Sequence, residues 1–252
     1  MSRVLNLLVT HQSPAEIGRM LAWWRDHCPP DDTLVAFNGT EAAFGAIEHP
    51  HKVRVVDPRL QTRQHQRERQ SYTAIFRETA RWLAGRDFTH VHFAEYDQVP
   101  LVPGFNALQV ARLEEERADV LAFELARVDG TCQPHYLYHA GLPGFADFWR
   151  GISVRQDKEV VLSMFGSGSF WTRQAFDAVA AQAEPFPVYL ELWLPTVAHH
   201  LGYRLRDWRE QGAFISSLGD FSGRFDEARQ AGAWTVHPVK SLWRSSATSP
   251  KP

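Results

Sequence analysis

Short apolar runs alternate along this chain with stretches whose apolar positions recur every three or four residues, the pattern of parallel strands joined by helices. Arg3–Thr10 reads as the first strand. Ser13-Pro14 supplies an N-cap and a first helical residue, and Ile17, Met20, Leu21 and Trp24 then share one helical face. The same grammar repeats with Thr33–Phe37 as a strand, Asn38-Gly39-Thr40 as turn and cap, and a short helix to Ile47. Lys52–Val56 is a third strand that Asp57-Pro58 ends. A polar, arginine-rich segment to Gln70 precedes a helix over Tyr72–Leu83, which leads into the strand His90–Asp97. Val99-Pro100 through Pro103-Gly104 stops that strand and starts a helix near Gly104–Asn106. Further strands are predicted over Val120–Phe123, Val160–Phe165 and Tyr203–Asp207. The whole implies an α/β fold in which helices flank a mostly parallel central sheet.

The strand His90–Asp97 carries the first candidate chemistry, because Glu95 and Asp97 are spaced i, i+2. Side chains alternate faces along a strand, so both carboxylates are expected on one side of its C-terminal tip, at a solvent-accessible corner where open α/β sheets place ligands. Two oxygen donors there suit a divalent cation and, through it, a diphosphate.

Composition narrows the setting. The chain has 252 residues and a formal net charge of −2, which argues against a protein built mainly to neutralise nucleic acid. Its length suits one domain, taken here as residues 1–244, with Ser245–Pro252 too poor in apolar surface to order. The apolar run near the N-terminus is too short for a signal or membrane segment, and the two cysteines, Cys28 and Cys132, fit neither a disulfide framework nor a zinc spacing. A cytoplasmic location is expected. The first strand runs into Val9-Thr10-His11-Gln12-Ser13 without G-x-G-x-x-G, and no G-x-x-x-x-G-K-[ST] occurs, which disfavours a dinucleotide dehydrogenase and a P-loop ATPase.

The order of these features resembles the GT-A glycosyltransferases. Glu95-Tyr96-Asp97 is similar to their acidic "DxD" motif, with Glu in the first place. The segment Gly166-Ser167-Gly168 through Phe176 resembles a glycine-containing turn before a helix, near the donor sugar. Glu191-Leu192-Trp193 resembles the helix start that supplies the base in inverting members, and Val236-His237-Pro238-Val239-Lys240 resembles a late histidine segment that completes the metal site. The likeness spans residues 4 to 240. It implies a GT-A-like single domain that transfers a sugar from a UDP- or GDP-linked donor to a hydroxyl acceptor, assisted by Mn2+ or Mg2+.

Each assignment stands beside a plainer one. Asp97 is the expected metal ligand, with Glu95 sharing the ion or binding ribose; alternatively the pair is a solvated strand end. His237 is a second candidate ligand or a loop residue before proline. Glu191, in an apolar setting, is the expected general base, or it complements a helix dipole. Arg59, Arg63, Arg67 and Arg69 can pair with phosphate through their planar forks or form a solvated face, and Lys240 has similar standing. Thr10, Asn38 and Asp57, at the ends of the first three strands, suit base and ribose or turn duty. Gly166 and Gly168 are expected beside the donor sugar. Among nine tryptophans, Trp171 and Trp193 are placed near the acceptor and Trp23 and Trp24 in the core. His135 and His139 flank Tyr136-Leu137-Tyr138, which favours extended structure over a helical zinc pair.

Two other functions fit the same residues. Thr10–Pro14 and Asp97–Leu101 also resemble segments of the metal-independent core-2/I-branching N-acetylglucosaminyltransferases, in which Arg and Lys replace the ion. A catalytically silent sugar- or nucleotide-binding module would keep the scaffold alone.

Overall fold

The computed structural model describes residues 2–57, 72–184 and 186–243. The arginines from Arg59 to Arg69, Arg63 among them, and the tail Ser245–Pro252 lie outside the described residues. The strands are β1 (Val4–Thr10), β2 (Asp32–Phe37), β3 (Lys52–Arg54), β4 (His90–Glu95), β5 (Val99–Pro100), β6 (Val120–Arg127), β7 (Leu162–Thr172), β8 (Leu205–Asp207) and β9 (Thr235–Val236). Seven of them form one sheet in the order β3-β2-β1-β4-β7-β6-β8, and β5 pairs with β9 in a second, small sheet. Among the described strands of the large sheet only β7 is antiparallel to its neighbours, β4 and β6. The chain is therefore an α/β protein with a mostly parallel central sheet between helices.

Every residue of β1 is buried, as expected of a strand covered on both faces. Leu5, Leu7 and Val9 join a core that includes α3 (Tyr72–Leu83), α7 (Arg173–Ala180) and α8 (Leu190–His200). Leu8 points the other way, into a core with Met20 and Trp24 of α1 (Pro14–His27) and Phe105 of α4 (Phe105–Glu115). The start of α1 is set locally: Ser13 Oγ accepts from Glu16 N–H while Glu16 Oε2 accepts from Ser13 N–H, with Pro14 at the first helical position. Thr40 caps α2 (Glu41–Gly45) more simply, its side chain accepting from Ala43 N–H.

Several boundaries differ from the sequence reading. β4 ends at Glu95, so Asp97 sits in a turn rather than on the strand, and it is only 8% exposed instead of solvent-accessible. β7 runs through Gly166 and Gly168, which form strand and not a turn before a helix. Gly168, with φ +85°, lies where the β6–β7 register shifts, the usual place for glycine inside a strand. His135 and His139 lie on a helix, α5 (Pro134–Ala140), because Pro134 and the Gln133 side chain, which accepts from Tyr136 N–H at 2.6 Å, start a helical turn that outweighs the β-preference of Tyr-Leu-Tyr. Trp171 and Trp193 are core residues: Trp171 meets Phe76 edge-on at 5.8 Å, and Trp193 stacks on Phe148 of α6 (Phe145–Ile152) at 5.1 Å. Among the described residues no helix is long and apolar enough to cross a membrane.

Candidate active site

The strand order reverses direction between β1 and β4: the chain moves outward from β1 through β2 and β3, then returns to place β4 on the other side of β1. A crevice opens at the carboxyl ends of strands at such a point. Glu95 closes β4 at that edge, paired with Val9 of β1, and Gln98 N–H donates to Glu95 O at 3.0 Å, making Glu95–Gln98 a tight turn. Asp97 is the third residue of that turn.

His237 reaches the same corner from far along the chain. Val99 pairs with Val236 in the small sheet, and Val239 N–H donates to Asp97 O at 2.8 Å, so the chain after β9 is laced onto the acidic turn. His237 Nε2 lies 3.2 Å from Asp97 Oδ1 and 3.7 Å from Glu95 Oε2. Its Nδ1 lies 3.0 Å from Ser216 O. A carbonyl can only accept, so Nδ1 carries a proton and Nε2 is the atom that faces the acids.

Asp97 Oδ1 and His237 Nε2 are shut off from solvent, and among the described residues neither makes a well-aligned hydrogen bond beyond their 3.2 Å ion pair. Burial pulls the His237 pKa down, but the Asp97 and Glu95 carboxylates beside it outweigh burial and raise it to about 9. Two carboxylates and an imidazole that converge within 4.8 Å form a donor set for a divalent cation. Oxygen donors with one imidazole suit Mn2+, and less specifically Mg2+. The buried, unaligned Oδ1 and Nε2 fit such an ion, which would displace the Nε2 proton.

Glu191 lines the same cavity from a different element. It stands in the first turn of α8, a helix buried along almost its whole length, and is itself 5% exposed. Gly166 makes this approach possible, because a Cβ there would collide with the Leu190 side chain. Glu95, Asp97, Glu191, His237 and Lys240 thus line one cavity of about 150 Å3, together with Phe165, Gly166, Ser167, Leu190, Ser217 and Pro238. Phe165 meets the His237 ring edge-on at 5.1 Å.

The other sequence candidates lie outside this cavity. Thr10, Asn38 and Asp57 occupy or follow the carboxyl ends of β1, β2 and β3, along the same edge of the sheet. Thr10 Oγ1 accepts from Gln12 N–H at 3.1 Å, which is turn duty, whereas Asn38 Oδ1 is buried and has no hydrogen-bond partner among the described residues. Gly168 packs beneath the site against Gln98 and Phe123. Phe165, Ser217 and Pro238 were missed as lining residues. Only Pro238, next to His237, had a local signal.

No protein-family model matches the chain, and no curated protein matches it significantly. Solved structures with a similar course of the chain include the A197 protein from STIV, at 11% identity and a TM-score of 0.36 over 83% of this chain and 82% of that one. WbbM bifunctional glycosyltransferase in its apo form is 12% identical, with a TM-score of 0.43 over 94% of this chain and 45% of that one, so the present chain spans less than half its length. Core-mannan synthase A (CmsA/Ktr4) from Aspergillus fumigatus, in a Mn/GDP form, is 10% identical with a TM-score of 0.43, over 82% of this chain and 73% of that one. All three likenesses are distant.

Proposed function

We propose that this protein is a GT-A-like glycosyltransferase that moves a sugar from a UDP- or GDP-linked donor to a hydroxyl acceptor. The observation that carries the reading is the convergence of Glu95, Asp97 and His237 in one cavity with a separate buried carboxylate, Glu191. Asp97 and His237, with Glu95, would hold Mn2+ or Mg2+, which supplies positive charge for a departing diphosphate when bound. Lys240, at the same cavity, adds a cation suited to phosphate oxygens. Glu191, a buried carboxylate that lines the same cavity, is positioned to take the proton from the acceptor hydroxyl. Asn38 and Asp57, farther along the strand ends, are assigned to base and ribose, and Thr10 to the turn after β1. Asn38 Oδ1, which has no hydrogen-bond partner among the described residues, would accept from a ribose hydroxyl.

The test is a thermal-shift panel of nucleotides and nucleotide sugars with and without Mn2+. A nucleotide at a hundred times its Kd stabilises the protein by about 2.7 kcal/mol. Stabilisation by UDP- or GDP-sugars that requires Mn2+ supports the reading. Stabilisation indifferent to the metal moves it to the metal-independent form, with Lys240 central, and no stabilisation by any nucleotide overturns it.

A further inference from the structure

The cavity is braced from beneath by a buried amide. Gln98, the last residue of the acidic turn, is 1% exposed. Its Oε1 accepts from Ser167 Oγ at 3.0 Å, and its Nε2 donates to Thr235 Oγ1 at 3.4 Å. Each partner leads to a different member of the Glu95–Asp97–His237 cluster. Ser167 Oγ accepts from Glu95 N–H at 3.1 Å, so it holds the backbone of one acid. Thr235 stands two residues before His237 and is itself anchored by donating to Val99 O at 3.0 Å. The amide therefore bridges three elements: the turn after β4, the middle of β7, and β9. β7 makes room for it, since a Cβ on Gly168 would lie 2.6 Å from Gln98 Nε2, and the positive φ there already favours glycine.

We propose that Gln98 is a positioning residue that sets the spacing of Glu95, Asp97 and His237 and so tunes their affinity for a divalent cation. The proposal rests on the reading of that cluster as a metal site. Two carboxylates brought within reach of one ion repel each other in its absence, and the cluster draws its members from two segments 140 residues apart in sequence. A scaffold that fixes both segments pre-forms the donor set, and the partners that orient metal ligands typically matter 10- to 100-fold in metal affinity. The Gly-Ser-Gly run thereby gains a local explanation: Gly166 admits the Glu191 helix, Ser167 ties Glu95 to Gln98, and Gly168 seats the amide.

The test is Mn2+ titration of the full chain, followed by electron paramagnetic resonance of free Mn2+, for wild type, Gln98→Met, Ser167→Ala and Gln109→Met. Gln109 serves as control: it is an equally buried amide that bonds Asn106 on α4 and lines no part of the cavity. Thermal melts of all four report the stability lost. The expected result is a loss of about tenfold or more in Mn2+ affinity for Gln98→Met and Ser167→Ala, with Gln109→Met unchanged in affinity even where it melts earlier. Wild-type affinity in the first two variants overturns the role of Gln98 while the metal site stands. An equal loss in Gln109→Met shows general loosening and also overturns it. A wild type that binds no Mn2+ removes the metal reading and this proposal together. If Gln98→Met does not fold, Ser167→Ala decides by the same criterion.

Discussion

Replacing His92 by phenylalanine should make the protein less sensitive to acid. His92 lies on β4, three residues before Glu95, with its ring 5.3 Å from Trp24 and from Phe105 and 6.1 Å from Phe170. It is fully buried, and neither ring nitrogen makes a hydrogen bond among the described residues. Burial pushes its pKa down from 6.5 to about 3, so the folded protein holds it neutral while the unfolded chain protonates it near pH 6.5. Between those values the unfolded state binds more protons, and stability falls as pH falls. The share from His92 is about 2 kcal/mol at pH 5 and close to zero at pH 8. His139, whose pKa burial lowers to about 4 with help from His135, weakens the protein in the same direction but is common to both proteins and cancels in their difference. Urea unfolding of wild type and His92→Phe at pH 8, 6.5 and 5 measures that difference. A constant gain or loss from repacking appears equally at every pH and leaves the slope untouched. The stability gap should widen in favour of the mutant by about 2 kcal/mol from pH 8 to pH 5. Parallel curves would refute the reasoning, since they would mean that His92 is protonated or hydrogen-bonded within the fold.

Three further outcomes are expected. Asp97→Asn should abolish Mn2+-dependent nucleotide binding in calorimetric titration, and it should also melt earlier, because it removes the buried charge nearest to His237; unchanged Mn2+-dependent affinity for UDP and GDP removes Asp97 from the site. Glu191→Gln should lower sugar transfer by a factor on the order of a hundred or more while donor affinity stays nearly the same, and full turnover with a slightly lower melting temperature would make Glu191 a helix-start acid. Gly168→Ala should cost about 2–4 kcal/mol in urea unfolding, from the positive φ and the approach to Gln98 and Phe123, and a loss below about 1 kcal/mol would show that the amide yields freely.

Elements whose signals are local were legible in the amino-acid order. The Ser13-Pro14 start of α1, the Thr40 cap, the span Tyr72–Leu83 and the buried run of β1 depend on neighbours within a turn or on hydrophobic period alone, and each lies where that pattern puts it. The acidic pair before Val99-Pro100 could be read as a strand-end site for the same reason. Where two local signals compete, the reading failed: the glycines of β7 suggested a turn, and Tyr136-Leu137-Tyr138 suggested a strand, because neither register pairing nor a cap from Gln133 can be weighed from composition. Trp171 and Trp193 went astray because burial belongs to the fold and not to the residue type. The convergence itself was decided only in three dimensions. His237 meets Asp97 because β9 pairs with β5, Glu191 meets them because Gly166 lets α8 close on β7, and Gln98 joins the parts because Ser167 and Thr235 fold onto it. A chain sequence can specify which side chains could hold an ion or a proton, but the distances among them depend on strand pairing between segments far apart along it, and those contacts exist only once the sheet has formed.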